Sequence, residues 1–430
     1  MIYTLVLMVL VLGVAEGITR LVAGPPQTRY FFNRANPALD NHAWLALFGD
    51  LKLKGNFNAV PEQSHNHWLI DAPGVGGPWL RTNPDKLQPR AHQVPTILLN
   101  KPEGVVRVIC LGASTAHGSP GADGQTFSDQ LDYRLQTSAP GQYEILNLAS
   151  PGLDSFDMVS IVEETLKLKP DIYFLYEGHT EGGNAFFRSS NLIPHDPRVV
   201  RLQMLLSGHL RLYSVLRDLL IPARDASTPA PAPDSEAAVN SRRWARQNQM
   251  ALTAANFAAN LRRIHSLATG AGARLVLASA ISNLYTAPRT SAHFTWLNPE
   301  ERKEFDTLLE KGQKDQDIAA LTRAYSLDPT YAEIPYLLGK AELALGHTEK
   351  AHQLWLEAKD WDVVSTRAWE VVNSAMEQVA TERKVPYLNG MTIAADSSGI
   401  PPAELFWDEL HLKPAAHTLL ANAMWPYLPR

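Results

Sequence analysis

Apolar positions along the chain follow two rhythms. The run at 105–111 (VVRVICL) is almost continuously apolar and ends at Gly112, the pattern of a parallel strand buried on both faces. Phe127, Leu131 and Leu135 recur at spacing four, which predicts a helix. The stretch 143–148 reads as a second strand and 157–169 as a second helix. A third strand, 171–176, follows Pro170. Further along, 251–269 reads as a helix stopped by Gly270 and Gly272, and 274–280 as a fourth strand. The short apolar run 385–388 is a candidate fifth strand, and 414–427 a C-terminal helix. Strand and helix alternate, so the expected fold is α/β, a doubly wound parallel sheet.

Three segments depart from that alternation. Residues 2–15 are nearly all aliphatic and uncharged, with Glu16 and Arg20 following. As a helix, 2–23 would be roughly 33 Å long, about one hydrocarbon core. It reads either as a membrane anchor or as a cleaved signal segment, with small Gly13 and Ala15 at suitable positions. In both cases the rest of the chain is expected to be exported; a cytosolic protein with this segment as a buried helix is the remaining alternative. Residues 24–103 are rich in Pro, Asn, Gly and Trp and read as an N-terminal arm of short strands and loops. Residues 221–240 (IPARDASTPAPAPDSEAAVN) read as a mobile surface loop.

The α/β pattern covers 104–297 and 365–430, and 298–364 interrupts it with helical sequence. There Leu321, Ala324 and Pro329 recur 34 residues later as Trp355, Ala358 and Val363. Leu338, Gly339, Gly346, Ala351 and Ala358 fall where a tetratricopeptide hairpin wants small or turn residues. The plainer alternative is a generic helical hairpin. Fewer than three such repeats do not bury a core alone, so the insertion is expected to lean on the α/β domain. It could also offer a surface to a protein partner.

Composition narrows the functional classes. A formal net charge of −5 and a pI near 6.3 do not suggest a nucleic-acid binder. A single cysteine, Cys110, excludes an intrachain disulfide and sits in the first apolar strand. His65, His67 and His117 have no companion ligands at zinc-like spacing, so neither metal nor cofactor is expected.

Candidate chemistry gathers where predicted strands end. Gly112-Ala113-Ser114 follows the first strand and would expose a serine near backbone N–H groups; a helix N-cap is the ordinary alternative. Asn147 to Gly152 follows the second strand. Glu177-Gly178-His179-Thr180-Glu181 follows the third. Trp407-Asp408-Glu409-Leu410-His411 precedes the last helix; an Asp-x-x-His pair suits a carboxylate that orients an imidazole.

The order of these four blocks on an α/β pattern resembles the SGNH/GDSL hydrolase superfamily, over about 104–283 and 385–428. It looks closest to bacterial membrane-anchored members with a tetratricopeptide-like insertion, which also carry a Ser-Asn-Leu stretch like Ser282-Asn283-Leu284. The resemblance implies Ser114 as nucleophile, His411 as base and Asp408 as its orienting partner. It implies oxyanion donors from Ser114, Gly152 and the third block. Two positions depart from the family pattern: Ala113 replaces an aspartate, and Thr180 replaces the donor asparagine. His179, Glu181, Asn184, Asn283, Asp360 and Arg367 are candidates for substrate contact.

The implied activity is hydrolysis of an ester through an acyl-enzyme, with an O-acetyl ester on an extracytoplasmic carbohydrate as the expected substrate. An O-acyltransferase would use the same residues. A non-catalytic scaffold on the same fold is the third reading.

Overall fold

The computed structural model describes residues 2–23, 68–72, 74, 77–82, 96–121, 124–188, 206, 210–213, 215–216, 235–364 and 366–429. The chain forms two compact units, 1–66 with 185–252 and 67–184 with 253–430.

In the first unit, Ile2–Ala23 is one 22-residue helix (α1). Glu16 accepts from Arg20 Nε at 2.6 Å and from the backbone N–H groups of Arg211 and Leu212, both at 2.8 Å. The uncharged apolar run ends at Glu16. Among the described residues no helix is long and apolar enough to cross a membrane, so the expected spanning anchor is not supported. Most of the predicted arm, 24–67 and 83–95, lies outside the described residues, as do 221–234.

The second unit opens with an antiparallel sheet of three short strands, β1 (Leu69–Ala72), β2 (Trp79–Thr82) and β3 (Ile97–Leu98). Five parallel strands follow: β4 (Val106–Gly112), β5 (Tyr143–Asn147), β6 (Ile172–Glu177), β7 (Arg274–Ser279) and β8 (Tyr387–Leu388). Their spatial order is β5-β4-β6-β7-β8, the doubly wound arrangement the alternation predicts. Alternate residues point to opposite faces. Val108 and Cys110 face one way and Ile109 and Leu111 the other, and all four are fully buried, so both faces are covered. One cover consists of Phe127–Ser138 and Pro414–Met424, whose Phe127, Leu131, Leu420 and Met424 pack with Val108, Phe174 and Val276. On the other face Tyr173 meets Thr165 of helix Ser155–Thr165 at 2.9 Å.

The helix predicted at 251–269 begins much earlier and runs Glu236–Gly270, so 236–240 of the expected loop is helical. Its first half is Ala-, Arg- and Gln-rich, which favours helix without leaving an apolar period to read.

The 298–364 insertion contains four helices, Pro299–Asp315, Ile318–Leu327, Glu333–Ala344 and Thr348–Trp361. Phe305, Leu321, Ala324, Ile334, Leu338 and Leu354 form their shared core. A Cβ on Gly339 would lie 2.5 Å from the Trp355 ring, so glycine there lets the last two helices close up. Trp355 also packs with Leu284 and Ile400, so the insertion does lean on the α/β unit.

Candidate active site

In an open parallel sheet, ligands bind beyond the strand carboxyl ends, where strand order reverses. Here that place lies between β4 and β6. Gly112 closes β4 with φ +157°, and a Cβ there would meet Tyr176 O at 2.3 Å and Ala116 Cβ at 2.4 Å. Glycine thus permits the sharp turn into the one-turn helix Ser114–His117. Ser114 is its first residue and is only partly buried. Gly118, with φ +88°, ends the turn by donating to Ser114 O at 2.9 Å.

His411 comes from the loop before the last helix. An isolated bridge between Phe406 and Leu412 closes this loop, and Trp407 N donates to His411 O at 2.8 Å. His411 Nε2 lies 2.9 Å from Ser114 Oγ, and His411 Nδ1 lies 2.7 Å from Asp408 Oδ2. A carboxylate accepts, so Nδ1 carries the proton and Nε2 is left to accept from Ser114. Asp408 Oδ1 accepts from Leu410 N at 2.9 Å and His411 N at 2.8 Å. Burial works against the ionised Asp408 carboxyl, but the His411 side chain and these two N–H groups outweigh it and hold its pKa well below the usual carboxylate range.

The Asp408 loop is held from behind. Asn283 Nδ2 donates to Asp408 O, and Asn283 N to Glu409 O, both at 3.0 Å. Glu409 pairs with Arg289. Asp362, at the end of the insertion, accepts from Arg289 N at 2.9 Å and Thr290 N at 3.2 Å. Arg367 reaches Asn283 O at 3.0 Å, Thr286 O at 2.9 Å and Asp362 at 3.5 Å. Only 3% of Arg367 is exposed, so it buttresses this loop and cannot line an open cleft.

Other candidates for substrate contact are also structural. Ring nitrogen Nδ1 of His179 accepts from Ala368 N at 3.1 Å, which leaves Nε2 to donate to Ile281 O at 3.1 Å. Burial, followed by the neighbouring His411 and Lys359, pushes its pKa down to about 3, so the ring is neutral. Buried Glu181 accepts from Ser155 N at 2.6 Å and Ser155 Oγ at 3.0 Å, fixing a carboxylate at a helix N-terminus. Asp360 pairs with buried Lys359 at 2.8 Å and accepts from Glu370 N at 3.1 Å. Asn283 faces the Asp408 loop. The side chain of Asn184 lies outside the described residues.

The oxyanion side departs from expectation. The Thr180 hydroxyl lies 2.5 Å from Leu153 O and 2.5 Å from Glu177 Oε1. Its one proton is committed to these neighbours, so Thr180 does not supply the expected side-chain donor. Gly152, with φ +80°, sits in the turn beside Leu153.

Two residues that sequence reasoning did not assign belong to the surroundings. Glu177 ends β6 and is buried. Trp407 is 50% exposed beside Asp408, with Lys413 Nζ 5.3 Å from its ring centre. An exposed tryptophan next to the Asp-x-x-His pair was the available signal for the second; the first looks like any strand-end residue. Cys110 is buried, and burial, followed by Asp129 and Asp132, raises its pKa far above that of a reactive thiol. His117 bonds Ser119 at 2.8 Å, and His65 and His67 lie outside the described residues. Among the described residues no group of three or more His, Cys, Asp or Glu side chains is placed to hold a metal.

No known family profile and no curated protein matches the chain. Similar solved structures include a GDSL-like lipase from Bacteroides thetaiotaomicron, 8% identical over 75% of this chain and 87% of that one, with a TM-score of 0.33. A lipase/acylhydrolase from Enterococcus faecalis is 11% identical over 76% and 98%, with a TM-score of 0.32. The esterase EstA from a Pseudoalteromonas species is 9% identical over 74% and 94%, with a TM-score of 0.31. Likenesses of this size carry no functional weight; the chemistry rests on the residues themselves.

Proposed function

We propose that this chain is a serine esterase of the SGNH/GDSL type. The observation that carries the reading is the continuous line of hydrogen bonds from Asp408 through His411 to Ser114, at 2.7 and 2.9 Å, at the carboxyl end of a parallel sheet. In this reading Ser114 Oγ attacks the ester carbonyl carbon while His411 Nε2 takes its proton. The tetrahedral intermediate collapses, the carbon–oxygen bond to the alcohol breaks, and His411 returns the proton to the leaving oxygen. Water, deprotonated by His411, then attacks the acyl-enzyme and releases the acid and Ser114. Asp408 orients the imidazole and stabilises its protonated form. The backbone N–H groups of Ser114 and Gly152 are the proposed oxyanion donors.

The proposed substrate is an O-acetyl ester on a carbohydrate, with the half-exposed Trp407 as an apolar face beside the reacting group. The same site transfers the acyl group when a sugar hydroxyl replaces water. The apolar run of α1 supports export of the domain, and fractionation of expressing cells is expected to find the chain outside the cytoplasm.

One observation favours a non-catalytic scaffold instead: the committed hydroxyl of Thr180 takes one donor from the oxyanion side. Loss of one such donor costs on the order of 10²–10³ in rate, which slows an esterase without abolishing it. Labelling with a fluorophosphonate probe separates the readings. Native protein is expected to react, and Ser114→Ala and His411→Ala are not. Folded native protein that stays unlabelled would overturn the esterase reading and leave the scaffold.

A further inference from the structure

One hydroxyl serves two acceptors behind the proposed oxyanion turn. Thr180 Oγ1 is 2.5 Å from the Leu153 carbonyl and 2.5 Å from Glu177 Oε1. A hydroxyl donates one proton, and a carbonyl only accepts. The Thr180 proton therefore belongs on Leu153 O. The short contact to Glu177 then needs a proton from the carboxyl side, because two lone pairs at that separation repel. Glu177 is 1% exposed, and its Oε2 has no hydrogen-bond partner. An ionised carboxylate left half unpaired in such a place would carry a large desolvation cost.

We infer that Glu177 is held as a neutral carboxylic acid that donates through the Thr180 hydroxyl to the Leu153 carbonyl, and so fixes the turn that carries Gly152. The pair acts as a positioning device that stands where a donor side chain is expected. Its catalytic consequence rests on the esterase reading above; its protonation state does not.

The surroundings agree. Burial pushes the Glu177 carboxyl up to about 7, while the backbone N–H groups of Gly178 and Thr180 pull the other way. The neighbouring charge is Asp154, in the turn after β5, and it pushes the same way. The strand partners are uncharged: Gly112 faces Tyr176 across β4–β6, and Ser279 faces Glu177 across β6–β7. A carboxyl raised in the folded state favours folding below its unfolded pKa, and that advantage is lost as pH rises through the folded value. Once Glu177 ionises, Thr180 turns its proton to the carboxylate and releases Leu153 O.

The test joins a direct reading of the proton to kinetics. Infrared difference spectra of the native protein between mildly acidic and mildly alkaline pH are expected to show a protonated-carboxyl band that disappears on the alkaline side and is missing in Glu177→Gln. Absence of that band from the native protein overturns the inference. On p-nitrophenyl acetate, Thr180→Val and Glu177→Ala are expected to lower kcat about 10- to 100-fold with little change in KM. Thr180→Ser and Glu177→Gln should retain most of the native kcat, since each keeps a donor in place; native kcat should fall on the alkaline side as Glu177 ionises, and Glu177→Gln should lack that fall. Equal losses in Glu177→Gln and Glu177→Ala overturn the positioning role. A native protein that shows the band but resists the fluorophosphonate probe sinks the esterase reading instead.

Discussion

The two sides of Ser114 are built differently. On the base side, His411 and Asp408 lie within three residues of each other, and that loop hangs from a long network through Asn283, Arg289, Arg367 and Asp362 to the helical insertion. On the oxyanion side the support is local, a strand-end glutamate and a threonine one helical turn apart, tied to a single carbonyl. The base side puts its polar atoms toward the serine, whereas the oxyanion side spends its side-chain hydroxyl on its own scaffold. In the proposed esterase, proton transfer would thus rest on side chains held from afar, and charge stabilisation on backbone held nearby.

The largest expected effects break the base side outright. Ser114→Ala and His411→Ala should each lower kcat/KM on p-nitrophenyl acetate by on the order of 10⁴-fold or more, leaving only what binding and backbone donors provide. Asp408→Asn keeps an acceptor for the Leu410 and His411 N–H groups but offers Nδ1 the wrong partner. A loss on the order of 10²–10⁴-fold in kcat is expected, with KM little changed. If Asp408→Asn were silent, the imidazole would not depend on that carboxylate. Acid should act in the same direction: the folded Asp408 carboxyl is lowered, so the stability it lends is present above its unfolded pKa and is lost as pH falls through the folded value.

Next in size is the buttress. Arg367 and Asp362 are 3% and 2% exposed. Arg367→Ala leaves a buried carboxylate short of its cation and two carbonyls without donors. A stability loss of about 3–5 kcal/mol is expected by urea denaturation, together with a kcat loss of roughly tenfold as the Asp408 loop loosens. Unchanged kcat in a folded variant would sever the insertion network from the base side.

The legibility of these parts follows how local their causes are. The central strands β4, β6 and β7 can be read from apolar runs alone because almost all their residues are buried on both faces, so no polar alternation blurs them. Ser114, Asp408 and His411 were legible because each closes or follows a predicted element in a recognisable order. The strands between 69 and 98 have no individual signal in the sequence, since runs of two to four residues carry no period. The early start of helix Glu236–Gly270 was hidden because its first turns are polar. Arg367 and His179 look like cleft candidates in the sequence because the partners that bury them are far away along the chain. A charged or titratable side chain beside a motif looks the same whether it faces a ligand or a buried carbonyl. Thr180 was recognised as a departure, but its second bond depends on where β6 sets down Glu177.

A smaller effect asks whether the insertion matters to the base side as a folded body or only through its last residues. Gly339→Ala would drive a methyl into the Trp355 ring. A cost of about 1–3 kcal/mol is expected, visible in thermal unfolding, while fluorophosphonate labelling of Ser114 continues at its native rate. Asp362 and Arg367 lie beyond the last insertion helix and keep their own bonds. A matching fall in labelling rate would show that the helical packing itself sets the Asp408 loop.

The smallest expected effect lies at the rim. Trp407 donates its backbone N–H to His411 O, so this part of the loop closure does not need the indole. The indole is half exposed, and Lys413 lies over its ring, an arrangement worth on the order of 0.5–1 kcal/mol at an exposed site. Trp407→Ala therefore removes a surface without disturbing the hydrogen bonds between Asp408, His411 and Ser114. A contact made equally in ground and transition states changes KM and leaves kcat alone. For an acetylated sugar, KM is expected to rise about three- to tenfold, with kcat within about twofold. For p-nitrophenyl acetate, whose leaving group carries its own ring, the rise should be smaller. A fall in kcat instead would mean that the indole helps hold the Asp408–His411 loop, and that the base side depends on its rim as well as on the network behind it.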